Sequence, residues 1–169
     1  DMRHVKASAP IAGAREIEVI VGQPIGARVL GDEGQLVMAL RNLLTNAIVY
    51  SPARTRVAVA ARCAGDAVEI TVTDQGIGIP DGEQSRIFER FYRVDPARSR
   101  VTGGTGLGLA IVTHVSQNHG GECTVWSEVG VGSTFTLRLP AYQPSSPSDD
   151  HGTELTLDVL SIPSGEALT

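Results

Sequence analysis

Lysine is almost absent from this chain. All but one of its 14 basic residues are arginine, the exception being Lys6. P-loop nucleotide binding needs Gly-Lys-Ser/Thr at the end of a glycine loop, and no lysine stands in that setting. Cysteine is nearly as scarce. Cys63 and Cys123 match no zinc spacing and are too few for a disulfide framework, so both are expected to be small core residues in a reducing compartment. No apolar run approaches the roughly 18 residues of a membrane span, and no signal peptide is visible. Basic residues never cluster beyond a pair, and the formal net charge of −5 argues against a nucleic-acid role. The surplus is in glycine, 19 of 169 residues, against a usual level of about 7%. Eleven of them fall between Gly76 and Gly132 in tight clusters without a G-X-Y period, which excludes collagen and points to loops where backbone approaches something closely.

Residues 1–15 (DMRHVKASAPIAGAR) are broken by Pro10 and Gly13 and are expected to end an upstream linker. Residues 16–21 alternate charged with branched apolar side chains as a strand does, and residues 27–30 are the expected partner. A helix follows, with Asp32 as N-cap and Gln35 as the capping-box partner. Leu36, Leu40, Leu43 and Ala47 form its apolar stripe, and Pro52 stops it. On a regular helix Asn42 and Asn46 share a ridge turned away from that stripe. Residues 55–63 and 67–74 alternate around Ala64-Gly65-Asp66 and predict a hairpin. Short helical pieces are expected at 83–89 and 105–119, and a closing strand pair at 122–128 and 133–139 around Gly130-Val131-Gly132. Residues 141–169 change to Pro/Ser/Asp-rich composition and predict a disordered tail, within which ELTLDVLSI is a possible docked strand. The pattern is α+β: a two-layer sandwich of one mixed, mostly antiparallel sheet with helices on one face.

Four segments carry residues of chemical interest. Asn42 and Asn46 are poor helix-interior residues whose amide oxygens suit Mg²⁺ beside a phosphate, although two solvated polar residues would explain the pair as well. Asp74-Gln-Gly76-Ile-Gly78-Ile-Pro80 puts a carboxylate at a strand end before two glycines. It can accept from an amine while a flat ring lies on bare backbone, or it can be a simple turn. Ile87-Phe88-Glu89-Arg90-Phe91-Tyr92-Arg93 alternates aromatics with cations and runs into the polar stretch 94–102, which holds Arg98 and Arg100. Gly103-Gly104-Thr105-Gly106-Leu107-Gly108-Leu109-Ala110 opens into a helix, the arrangement of a phosphate-cradling loop, and its spacing is not the dinucleotide fingerprint.

In that order and spacing the four segments resemble the ATP-binding catalytic domain of bacterial sensor histidine kinases, within the wider fold family that includes Hsp90 and type II topoisomerase ATPases. The resemblance runs over residues 16–140 through an N box (NLLTNAIVYS), a G1 box (DQGIGIP), an F box (IFERFYR), a G2 box (GGTGLGLA) and the closing GVGSTF. It implies a Bergerat-type ATP-binding fold. Asp74 would bind the adenine amine, with Gly76, Gly78 and Ile79 along the base, Tyr50 stacked near it and Ser133 completing the pocket. Asn42 would ligate Mg²⁺, and Asn46 would lie close to the phosphates as a catalytic residue. Backbone around Gly104, Thr105, Gly106, Leu107, Gly108 and Leu109 would hold the phosphates, and a lid would run from Tyr92 to Gly104. Many relatives carry Lys or Arg just before the N-box aromatic, where this chain has Val49. Arg93, Arg98 and Arg100 are the candidates to supply that charge.

The same resemblance implies a γ-phosphoryl transfer to a histidine elsewhere. His4, His114, His119 and His151 all lack the acidic residue that follows the family's phosphoacceptor. The acceptor is therefore expected on an upstream dimerisation domain of the same protein, with relay to a response regulator. The full-length protein is expected to be a homodimer, and this part of it cytoplasmic beneath a membrane-anchored sensor. The fragment itself is expected to contact neither membrane nor nucleic acid. A non-catalytic nucleotide-binding module and an anti-sigma-type serine kinase are the alternative readings.

Overall fold

The computed structural model describes residues 16–95, 106–143 and 154–156. Its elements in chain order are β1 (Glu18–Val21), β2 (Arg28–Leu30), α1 (Glu33–Val49), β3 (Arg56–Ala64), β4 (Ala67–Asp74), α2 (Asp81–Gln84), α3 (Gly108–Asn118), β5 (Glu122–Glu128), β6 (Gly132–Pro140) and β7 (Glu154–Thr156). Five strands form one sheet in the order β1-β3-β4-β6-β5, and β2 pairs with β7 in a separate ribbon. Only β1 and β3 run parallel; every other pair is antiparallel.

Alternation in the strands assigns the two sheet faces. Val57 and Val59, Val68, Ile70 and Val72, and Phe135, Leu137 and Leu139 are buried, each on every second position of its strand. They pack with Leu36, Ala39, Leu43 and Ala47 of α1 and Val112 and Val115 of α3 into one core. The opposite face is mostly small and polar, with Trp126 exposed on it, and includes Thr73 and Thr134, whose hydroxyls lie 3.1 Å apart. The expected sandwich with its helices on one face is thus present.

Several local expectations are corrected. Residues 27–30 do not pair with the first strand. β1 instead joins β3 in parallel, Glu18 opposite Arg56, while Arg28 of β2 lies opposite Thr156. The ladder of β1 ends with Gly22 N–H on the Val59 carbonyl at 2.8 Å. Pro24 then removes an amide, and the chain leaves the sheet before a hairpin can form. The expected helix at 83–89 is the single turn Asp81–Gln84 followed by turns, and the later helix begins at Gly108 rather than 105. In α1 the stripe includes Ala39, which is fully buried, whereas Leu40 is only half-buried. A small residue lets the sheet come close there, so the stripe shifts round the helix. Asn42 and Asn46 consequently sit half-buried on its flank rather than facing away from the core.

The cysteines separate as well. Cys123 is half-buried against the core, and burial pushes its thiol up to about 12. Cys63 is exposed, on the stretch of β3 beyond Val59 where β1 no longer pairs with it. Most of the 141–169 tail lies outside the described residues; within it, Glu154–Thr156 forms β7.

Leu43 has no exposed surface and faces the sheet from the middle of α1. Leu43→Ala is expected to lower unfolding free energy by about 2–5 kcal/mol, the range for emptying a tight apolar site. Urea unfolding followed by circular dichroism measures it.

Candidate functional site

Asp74 is the last residue of β4 and keeps the inward parity of Val68, Ile70 and Val72, so its carboxylate is buried on the helical side of the sheet. Its Oδ1 accepts from Gly76 N–H at 2.8 Å and from Ser133 N–H at 3.2 Å. Its Oδ2 accepts nothing among the described residues. Burial raises the carboxyl above its ordinary range, and the two backbone donors oppose that shift without cancelling it.

The loop that follows lies flat on the β5–β6 turn. Gly130 N–H donates to the Ile77 carbonyl at 3.0 Å, and Ile79 N–H donates to Ser127 Oγ at 2.8 Å. Two glycines make this approach possible. Gly78 has φ +75° and a Cβ there would strike the Glu128 carbonyl; Gly132 has φ +140° and a Cβ there would strike the Asp74 carbonyl. Gly78 is thus required by contact with the neighbouring turn, a reason separate from any flat ligand.

Ser127 and Gln84 escaped the sequence reading and hold this region together. Ser127 Oγ lies 3.0 Å from the Gly132 carbonyl and 2.8 Å from Ser133 Oγ. Gln84 Nε2 donates to the carbonyls of Ile79 and Ser127, each at 3.0 Å. A signal for Ser127 existed: it is a polar residue at the inward parity set by Cys123 and Val125. Gln84 had none, because a one-turn helix has no readable period.

α1 brings the asparagines to the other side of the site. Asn42 Nδ2 donates to the Met38 carbonyl at 2.9 Å, which turns Oδ1 outward. A Cβ on Gly108, the first residue of α3, would lie 3.0 Å from that Oδ1. No side chain caps α3 at Leu107, so Asn42 faces a helix end with the partial positive charge of its N–H groups. Tyr50 ends α1, its N–H donating to the Asn46 carbonyl at 3.1 Å, and its own carbonyl would be 2.7 Å from a Cβ on Gly76. The N-box segment therefore touches the Asp74 loop at one end and the α3 N-terminus along its flank.

The aromatic segment is tied in by backbone. Phe91 N–H donates to the Gly106 carbonyl at 2.9 Å, while the Phe91 ring is exposed. Ile87 is buried, and the Phe88 ring meets Phe135 edge-on at 6.2 Å between centroids. Tyr92 is half-buried with the Arg86 guanidinium 4.4 Å above its ring. Ile79 and Leu109 pack against the core, so their side chains are structural as well as adjacent to the site. Arg93 is half-buried beside Tyr92. Arg98, Arg100, Gly104 and Thr105 lie outside the described residues.

Residues 31–143 match the family described as histidine kinase-, DNA gyrase B- and HSP90-like ATPase, and the chain belongs to that family. It is 57% identical over 136 residues to the sensor-like histidine kinase SenX3 of Mycolicibacterium smegmatis, covering 80% of this chain and 35% of that protein. Among solved structures it is similar to the mycobacterial sensor histidine kinase MprB, with TM-score 0.67, 36% identity and coverage of 78% of this chain and 87% of that one. Full-length ShkA in complex with AMPPNP is also similar, with TM-score 0.69, 29% identity and coverage of 87% and 32%. The chain thus spans about a third of the length of the curated relatives it matches.

The raised Asp74 carboxyl gives a test of site electrostatics. A carboxyl whose folded pKa lies above its unfolded value contributes stability that is full below the unfolded pKa and lost as pH rises through the folded one. Asp74→Asn keeps an oxygen for Gly76 and Ser133 but carries no charge. Its melting temperature at neutral pH is expected to equal or exceed that of the native protein, and the difference should shrink as the medium is acidified. Thermal unfolding over a pH series measures this.

Proposed function

We propose that this chain binds Mg·ATP between the Asp74 loop and the α3 N-terminus and donates the γ-phosphoryl group to a histidine on a separate upstream dimerisation domain of the same protein. A response regulator then receives the group. The observation that carries the reading is the Asp74 carboxylate: buried, tied to the Gly76 and Ser133 backbone through Oδ1, with Oδ2 accepting nothing among the described residues. Such an acceptor fits the exocyclic amine of adenine. The family match and the sensor-kinase relatives support it.

The residues present also fit the metal. Mg²⁺ prefers oxygen and keeps several waters and phosphate oxygens, so one protein ligand is enough. Asn42 Oδ1, oriented by the Nδ2 bond to Met38, is that ligand. When bound, Mg²⁺ supplies charge neutralisation at the phosphates.

The protein's share of the chemistry is positioning. Asp74 anchors the base, with Gly76, Gly78, Ile79, Tyr50, Tyr92 and Ser133 around it. Backbone from Gly104 to Leu109 and the dipole of α3 hold the phosphate end. Asn46, one turn beyond Asn42 on the same ridge, steadies the phosphates, and Arg93, Arg98 and Arg100 supply the cationic charge that Val49 does not. The bond between the γ-phosphorus and ADP breaks as a bond to the acceptor imidazole nitrogen forms. We place the chain on the cytoplasmic side of a membrane-anchored homodimeric receptor; among its described residues no helix is long and apolar enough to cross a membrane.

Calorimetric titration with Mg²⁺ and a non-hydrolysable ATP analogue should show one site. Asp74→Asn should weaken it by about 1–3 kcal/mol, the cost of leaving one partner of a buried polar contact unpaired. Absence of binding to folded native protein would overturn the nucleotide reading. Addition of an upstream phosphoacceptor domain together with ATP should yield acid-labile phosphohistidine; ATP binding without it would reduce the chain to a binding module.

A further inference from the structure

The capping box at the start of α1 is only half formed. Asp32 Oδ1 accepts from Gln35 N–H at 2.9 Å, but the Gln35 side chain does not return the bond, and its Oε1 is buried without a partner among the described residues. The Asp32 N–H donates instead to Nε2 of His119, 3.0 Å away at the C-cap of α3. Nδ1 of the same ring lies 2.7 Å from the Val115 carbonyl. These partners fix the state of the imidazole. A carbonyl only accepts, so Nδ1 carries the proton; an amide N–H only donates, so Nε2 presents a lone pair. The ring is the neutral Nδ1–H tautomer, bridging the last turn of α3 to the first residue of α1. Residue 31 makes room for it, since a Cβ on Gly31 would strike Cδ2 of the ring.

This bridge stands at the far end of the helix pair from the site. His119 meets Asp32, and Asn42 meets Gly108, so α1 and α3 run antiparallel with two fixed contacts. At roughly 1.5 Å per residue the contacts are about 15 Å apart along either axis. Sliding one helix against the other would break the first contact and displace Asn42 from the α3 N-terminus together.

We propose that His119 is a positioning residue for nucleotide binding: as a neutral hydrogen-bond acceptor it sets the register of α1 against α3, and so the place of Asn42. The inference rests on the nucleotide reading of the site and adds to it a residue that touches no nucleotide.

Two substitutions isolate the acceptor. In His119→Gln an amide oxygen can stand where Nε2 stands. His119→Asn can still donate to Val115, but it is too short to reach Asp32. Affinity for the Mg²⁺–ATP analogue is measured by calorimetry well below each variant's unfolding temperature, with amide hydrogen exchange followed at Asp32 and residues 42–50. Gln is expected to bind within about twofold of native, and Asn about fivefold more weakly, the scale of one lost helix-cap bond, with faster exchange in both places. Equal affinities for Asn and native, or equal losses for Gln and Asn, would overturn the proposal. If native protein binds no nucleotide, the functional reading fails by itself, and the exchange of residues 42–50 in the Asn variant still decides the register claim. Should the variants not fold, the ¹⁵N shifts of native His119 decide: a proton on Nε2 would overturn it.

Discussion

A charge that water would otherwise surround is held at Asp74 by two backbone N–H groups, one from Gly76 and one from Ser133. Because the donors belong to segments far apart in the chain, the carboxylate can be buried only when the loop after β4 and the start of β6 are both in place. The remaining contacts serve that arrangement. Ser127 joins the loop to β6, Gln84 of α2 ties the loop at Ile79 to Ser127 of β5, and Tyr50 brings the end of α1 against Gly76. The same backbone contacts that join the ends of β4 and β6 therefore also assemble the site.

Much of this was legible in the sequence where a single segment determines its own structure. The Asp32 cap, the span of α1, the β3–β4 hairpin and the β5–β6 pair all follow from local period and turn chemistry. Asp74 at a strand end before Gly-x-Gly was legible for the same reason. What was hidden depends on partners distant in sequence. Parallel pairing of β1 with β3 leaves no turn signature, and β2 found β7 rather than its nearest neighbour. Gln35 looked like half of a capping box until His119, far along the chain, took the Asp32 amide.

The asparagine ridge shows how one small residue changes a reading. An idealised helix centred on Leu36 and Leu40 turns Asn42 and Asn46 to solvent. With Ala39 buried the helix is turned, Asn42 lies beside the first residue of α3, and Asn46 is half-buried.

Oδ2 of Asp74, which accepts nothing among the described residues, also bears on which nucleotide the site would retain. An ionised carboxylate has only lone pairs to offer, and guanine presents a carbonyl oxygen where adenine presents an amine. Phosphates and their counter-charges are the same in both nucleotides, so the arginines and the α3 N-terminus are blind to that difference. On the nucleotide reading, the chain's ability to ignore GTP in a mixed pool comes down to a single oxygen atom, at the end of the site away from the phosphoryl transfer.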